Sequence, residues 1–197
     1  MIRSYAVIDD FLPRQHHLDL WGAFQKMMLV PESAPEWNRS YRLLDGESPQ
    51  RLQDEAIGAA PPPLRLFTEK LAALMTGREP LIAVDPWTGF TQSAWVYRRN
   101  EGLEWHSDTG WLAGYIYYAH PAWHASWGGE LLIGADGAAA DACRSGGVFV
   151  YPAPNRLVLL RGGTMHCIKK VEPAAGKAFR ASVSGFFFNT GREDATG

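Results

Sequence analysis

The chain has 197 residues, 46% of them hydrophobic and 20% charged, enough apolar surface for a sizeable core and too much for wholesale disorder. Nineteen Lys plus Arg against 21 Asp plus Glu leave a net charge of −2 and a pI near 6.3, without the basic excess of a dedicated nucleic-acid binder. Cys143 and Cys167 are the only cysteines, too few for a disulfide framework or a thiolate zinc site.

The opening MIRSYAVIDDFLP places Asp9 and Asp10 where a secretion signal needs its apolar stretch. No run approaches the length of a membrane span. A soluble, cytoplasmic protein without a membrane partner is expected. Residues 4–8 predict a short strand. From Gln15 to Leu29, Leu18, Trp21, Phe24, Met28 and Leu29 recur at helical spacing. Pro31 and Pro35 end that helix, and 31–49 reads as loop with a short strand at Tyr41–Leu44. Pro61-Pro62-Pro63 opens a second helix with Leu64, Phe67, Leu71 and Leu74 on one face, stopped near Gly77.

Beyond Gly89 the period changes. Strands are expected at about 93–99, 112–119, 129–134, 147–151, 156–160, 166–171 and 179–188, each bounded by Gly, Pro, Asn or Asp. Many short strands after a helical half predict an α+β chain, mainly β, forming a sandwich or jelly roll braced by N-terminal helices. The expected organisation is one domain over 1–190, with 1–92 as helical support and lid loops, 93–190 as the β core and 191–197 as a tail. Gly128-Gly129 and Gly162-Gly163 lack the context of a phosphate-binding loop.

The string Trp105-His106-Ser107-Asp108 carries the chemistry. On extended backbone, residues two apart point the same way, so His106 and Asp108 can reach one metal. His166 is the candidate third ligand. Two imidazoles and a carboxylate make the facial triad of non-haem Fe(II) sites, which leaves coordination positions open. A lone His-x-Asp is unremarkable in a chain this long. Downstream, FRASVSGFF puts Arg180, Ser182 and Ser184 on one strand face and Ala181 and Val183 on the other. An interior Arg without an anion is costly, and a ligand carboxylate would satisfy it.

The strings AWVYRRNEGLEWHSD, YIYYAHPAWHASWGGELLI, VYPAPNRLVLLRGGTMHCIKKV and FRASVSGFF, taken in order, resemble the Fe(II)/2-oxoglutarate-dependent oxygenases, in particular their prolyl 4-hydroxylase-like branch. The resemblance covers nearly half the chain. It implies a double-stranded β-helix (jelly roll, cupin-like) with Fe(II) held by His106, Asp108 and His166. It also implies 2-oxoglutarate anchored by Arg180 with Tyr118, Tyr97 and Ser182. O2 would be consumed, with ascorbate as accessory reductant, and an unactivated C–H bond of an amino acid, small metabolite or peptidyl residue hydroxylated. Asp108 favours hydroxylation, because the family's halogenases lack that carboxylate. Its nucleic-acid demethylases carry a second Arg where this chain has Phe186. Lys177 is a poorer substitute anchor, since several prolyl hydroxylases use Lys in place of the Arg.

Some assignments remain bland. His120 and His124 are expected in a surface loop, and Cys167 as a small core residue. Trp111, Trp123 and Trp127 fall near the predicted mouth, with Trp105 also grouped about the metal. Trp37, Arg39, Tyr41, Arg42, Trp87 and Phe90 are lid candidates. Two other functional classes stay open: a cupin-like metalloenzyme that ignores 2-oxoglutarate, and a non-catalytic β-sandwich binding module. Oligomeric state is not legible.

Overall fold

The structure, a computed structural model, describes residues 4–26, 29–32, 37–38, 40–43, 51–52, 62–77, 81–82, 84–135 and 146–190; between 29 and 52 only the backbone is described. The N-terminal part comprises β1 (Tyr5–Ile8), α1 (Arg14–Phe24), β2 (Leu29–Glu32), β3 (Trp37–Asn38), β4 (Ser40–Leu43), β5 (Arg51–Leu52) and α2 (Pro62–Met75). It is followed by β6 (Gly89–Phe90), β7 (Ser93–Tyr97), β8 (Gly102–His106), β9 (Ala113–Tyr118) and β10 (Leu131–Gly134). The last four are β11 (Gly147–Val150), β12 (Leu157–Arg161), β13 (His166–Ile168) and β14 (Arg180–Phe188).

Two antiparallel sheets face each other. The larger runs β1-β12-β9-β14-β7-β4-β2, with β5 and β6 attached at β14; the smaller runs β11-β10-β13-β8-β3. This is the double-stranded β-helix. Its central strands are buried on both faces, so β9 and β12 show no polar alternation. One face of the larger sheet (Ala94, Val96, Ala113, Tyr115, Tyr117, Leu157, Leu159, Ala181, Val183) packs on Leu20, Phe24, Phe67 and Leu71 of the helices. The other face (Tyr97, Ile116, Tyr118, Val158, Leu160) meets Leu131, Ile133, Val150 and Ile168 of the smaller sheet. Phe67 is fully buried against Tyr115 and Tyr117, and truncating such a ring costs roughly 3–5 kcal/mol.

Several expectations change. α1 ends at Phe24, not Leu29, because Leu29 is drawn into pairing with Leu43 of β4. Leu18 is 39% exposed, and His17 takes the buried place beside Leu20 and Phe24. The imidazole is kept there by a 2.7 Å hydrogen bond between His17 Nδ1 and Tyr117 Oη. Within 31–49 the strand expected at Tyr41–Leu44 is present as β4 in the larger sheet, but β3, which joins the smaller sheet, and the end of β2 were read as loop. β8 was not foreseen as a strand, since Glu104 and Trp105 are exposed and break its alternation.

Helix α2 forms as read, with Pro62 and Pro63 in its first turn and Phe67 and Leu71 buried; of the other residues read onto that face, Leu64 and Leu74 are only partly buried, and Met75 is buried as well. Asn155 (φ +62°) gives the sheet its N-terminal clamp. Its amide accepts from the Leu12 N–H at 2.9 Å and donates to the Leu12 carbonyl at 2.7 Å. Trp87 and Phe90 are buried core aromatics packed on Phe187, not lid residues. Side chains of Trp37, Arg39, Tyr41 and Arg42 lie outside the described residues, as do Cys143 and the tail from 191.

Candidate active site

A cavity of about 610 Å³ opens between the sheets, with His106, Asp108, His166, Arg180, Ser182 and Trp111 among its lining residues. One ligand atom from each of His106, Asp108 and His166 can be chosen so that all lie within 4.8 Å of one another. Nε2 of His166 is 3.5 Å from Asp108 Oδ2, and Nε2 of His106 is 3.9 Å from Asp108 Oδ1. Each imidazole donates Nδ1–H to a carbonyl two residues back, Glu104 and Thr164 respectively, both at 2.8 Å. That fixes the tautomer and leaves the Nε2 lone pairs converging beside the carboxylate. Burial, and then the nearby His106, lowers the pKa of His166, which favours the neutral ligand form.

Sheet register places these side chains. His106 sits opposite His166 in the pairing of β8 with β13. Asp108 lies just beyond β8, and its loop is held by backbone bonds from Gly163 N–H to the Asp108 carbonyl and from Gly162 N–H to the Leu112 carbonyl. A Cβ on Gly162 would fall inside the Trp111 carbonyl. The glycine pair that failed as a phosphate loop therefore lets one turn approach another and aims Asp108.

The deep end is built by β14. Arg180 lies directly across from Tyr97 of β7, and Ser182 across from Tyr118 of β9. All four are at most 4% exposed. The guanidinium Cζ is 5.2 Å from the Tyr97 ring centre and 4.8 Å from that of Tyr118. Arg180 Nη1 donates to Ser182 Oγ at 3.5 Å, whereas Nε and Nη2, like the Tyr118 hydroxyl, are buried without a hydrogen-bond partner. Burial pushes the Tyr97 hydroxyl up to about 12, opposed by Arg180, so it stays a neutral donor. Lys177 is exposed in the preceding turn and does not line the cavity.

The aromatic surplus sorts itself. Trp111 stacks on Phe186 at 5.1 Å and 15°, walling the cavity beside Asp108. Trp105 is 37% exposed, and neither it nor Trp123 lines the cavity. His124 is exposed as expected, but His120 is buried and hydrogen-bonded to the Pro152 carbonyl. Its only sequence signal was adjacency to a buried Tyr-Tyr strand.

Comparison with known proteins fits this geometry. Residues 92–188 match the family model of the 2OG-Fe(II) oxygenase superfamily and belong to that superfamily. The protein is a 2-oxoglutarate-dependent Fe(II) dioxygenase. No curated relative matches the sequence. Among solved structures, a Pseudomonas putida prolyl-4-hydroxylase is 18% identical with a TM-score of 0.62, over 94% of this chain and 92% of that one. A Trichoplax adhaerens prolyl hydroxylase, in complex with a hypoxia inducible factor peptide fragment, is 17% identical at 0.62, over 94% and 84%. HygX from Streptomyces hygroscopicus, with nickel, 2-oxoglutarate and hygromycin B bound, is 12% identical at 0.62, over 95% and 83%. At these identities the structures show the shared fold.

Proposed function

We propose that the chain is a hydroxylase in which His106, Asp108 and His166 hold Fe(II) and Arg180 anchors the distal carboxylate of 2-oxoglutarate. Tyr118, Tyr97 and Ser182 complete the anchor, and residues 1–190 act as one oxygenase domain. The observation that carries this reading is the fully buried Arg180, which leaves two nitrogens unpaired in a cavity that also holds the His-Asp-His cluster. A buried guanidinium without an anion is unfavourable, and a carboxylate accepting from Nε and Nη2 would remove that cost. The donor set also suits the metal: two neutral imidazoles and one carboxylate leave an open face for a chelating 2-oxo acid and dioxygen.

When bound, Fe(II) supplies the activation of dioxygen. The chain's part is placement. The Tyr118 hydroxyl, unpartnered in the fold, is a donor to the same carboxylate, with Ser182 Oγ oriented by Arg180. Trp111 and Phe186 form a dry wall beside Asp108 that holds substrate and limits water at the reacting centre. In balance, one O2, one 2-oxoglutarate and one C–H substrate give succinate, CO2 and the hydroxylated product.

The substrate is a small molecule or a peptidyl residue; fold neighbours carry one of each, a peptide fragment and hygromycin B. The test is a succinate-release screen with Fe(II) and 2-oxoglutarate against amino acids, peptides and pooled metabolites, with detection of +16 Da products. Succinate release that depends on His106 is expected. Equal turnover by His106→Ala would overturn the proposal.

A further inference from the structure

Arg180 starts a strand, and something must fix its direction. The Ala181 carbonyl accepts from the Ala119 N–H at 2.9 Å, but β9 has ended by this point and Pro121 turns the chain away. The Ala181 N–H is met instead by a side chain: it donates to His120 Nδ1 at 3.2 Å. On the far side of the ring, Nε2 lies 2.8 Å from the Pro152 carbonyl. Nδ1 also lies 3.2 Å from the Ala181 carbonyl. A neutral ring carries one proton, however, and the shorter contact to the Pro152 carbonyl, which can only accept, places it on Nε2 and leaves Nδ1 to accept from the Ala181 N–H.

The imidazole is 1% exposed, with ring centres 4.7 Å from Trp123 and 5.9 Å from Tyr118. Both neighbours border the anchor. Tyr118 faces the guanidinium, and Trp123 donates Nε1–H to the Gly128 carbonyl at 2.9 Å. At Gly129 (φ +73°) a Cβ would lie 3.1 Å from Arg180 Cδ and 3.4 Å from Trp123, so the bare backbone there walls the arginine stem. His120, Trp123, Gly129 and Arg180 thus form a continuous packed path, with the backbone of Ala181 joining its ends.

We propose that His120 is a positioning residue for the co-substrate anchor: as the Nε2–H tautomer it closes the β14 ladder at Ala181 in place of a backbone carbonyl and, with Tyr118 and Trp123, fixes where the Arg180 guanidinium points. The inference rests on Arg180 as the 2-oxoglutarate anchor.

The test compares His120→Leu, which removes the acceptor, with His120→Asn, whose Oδ1 can take the place of Nδ1. In Mn(II)-loaded protein under anaerobic conditions, His120→Leu should weaken 2-oxoglutarate binding at least tenfold, while Mn(II) affinity stays within twofold. His120→Asn should restore 2-oxoglutarate binding to within threefold of wild type. In turnover, the loss should fall on KM for 2-oxoglutarate more than on kcat. Unchanged 2-oxoglutarate affinity in folded His120→Leu, or a parallel loss of Mn(II), would overturn the proposal. A second measurement needs no variant: imidazole 15N shifts of the wild type at pH 7 should show the Nε2–H tautomer, and an Nδ1–H tautomer or an imidazolium would overturn it. Wild-type protein that fails to bind 2-oxoglutarate would bring down the anchor assignment itself; normal binding that ignores His120 sinks only the positioning role.

Discussion

Replacing Arg180 with Met should separate two opposite effects of one side chain. Among the protein's own groups the guanidinium is fully buried, bonded to Ser182 at 3.5 Å, with no partner for Nε and Nη2. Its ring contacts with Tyr97 and Tyr118 contribute roughly 1–2 kcal/mol each. Holding an unpaired charge out of water costs several kcal/mol. Methionine, similar in length and uncharged, gives up both effects, so metal-free Arg180→Met should be as stable as wild type or up to about 2 kcal/mol more stable. The bound state behaves the other way. A carboxylate seated on the guanidinium fork makes two charge-assisted hydrogen bonds worth roughly 1.5–3 kcal/mol each. Losing about 3–6 kcal/mol lowers affinity between about a hundredfold and about ten-thousandfold or more. Calorimetric titration of 2-oxoglutarate into Mn(II)-loaded protein reads the affinity, and thermal melts of metal-free protein read the stability. A dissociation constant within threefold of wild type would refute the anchoring role. A markedly lower melting temperature in the metal-free variant would show that the arginine is structural.

Three further outcomes are expected. His166→Ala should lower Mn(II) affinity by at least about a hundredfold, since loss of mere outer-shell partners already costs 10–100-fold; retention within threefold in a titration would remove His166 from the ligand set. Gly185→Ala should destabilise by about 1–3 kcal/mol, because the new Cβ would fall inside the Thr91 carbonyl and push β14 from the segment that carries β6; an unchanged melting temperature would show that this contact is relaxed in solution. His120 is held neutral, its pKa lowered to about 4 chiefly by burial. Between about pH 4 and 6.5 the unfolded chain therefore binds more protons than the fold. The contribution is complete above pH 6.5 and declines as the pH falls toward 4, by up to about 3 kcal/mol. His17 and His166, also lowered, act with the same sign, so the informative quantity is the wild-type slope minus that of His120→Asn. Equal slopes in denaturant unfolding across that window would contradict the buried neutral imidazole.

The residues proposed to carry the chemistry were legible as groups because their constraints are local. His106 and Asp108 are two apart, and Arg180 and Ser182 share a face by strand alternation, so spacing alone groups each pair. Likewise, Phe67 and Leu71 on the buried face of α2 follow from helical period and the prolines at its start. Elements whose conformation is decided by distant partners were not legible. Leu29 left its helical pattern to pair with Leu43, and β8 became a strand through β13 and β3 despite its exposed Glu104 and Trp105. Trp105 and Trp123, close in sequence to the proposed ligands, line no part of the cavity, whereas Trp111 gains its place by stacking on Phe186 from β14.

By itself the sequence determined which groups could form a metal triad and which charge could meet a carboxylate. Tertiary structure decided that β14 sets Arg180 against Tyr97 and Ser182 against Tyr118, and that β8 and β13 bring His106 to His166. It also turned His120 from an expected surface residue into a buried one bonded to the backbone beside Arg180. The physical reason is that side-chain direction along one strand is fixed by the period of two, while the partner across the sheet is fixed by register, which depends on turns and packing far along the chain.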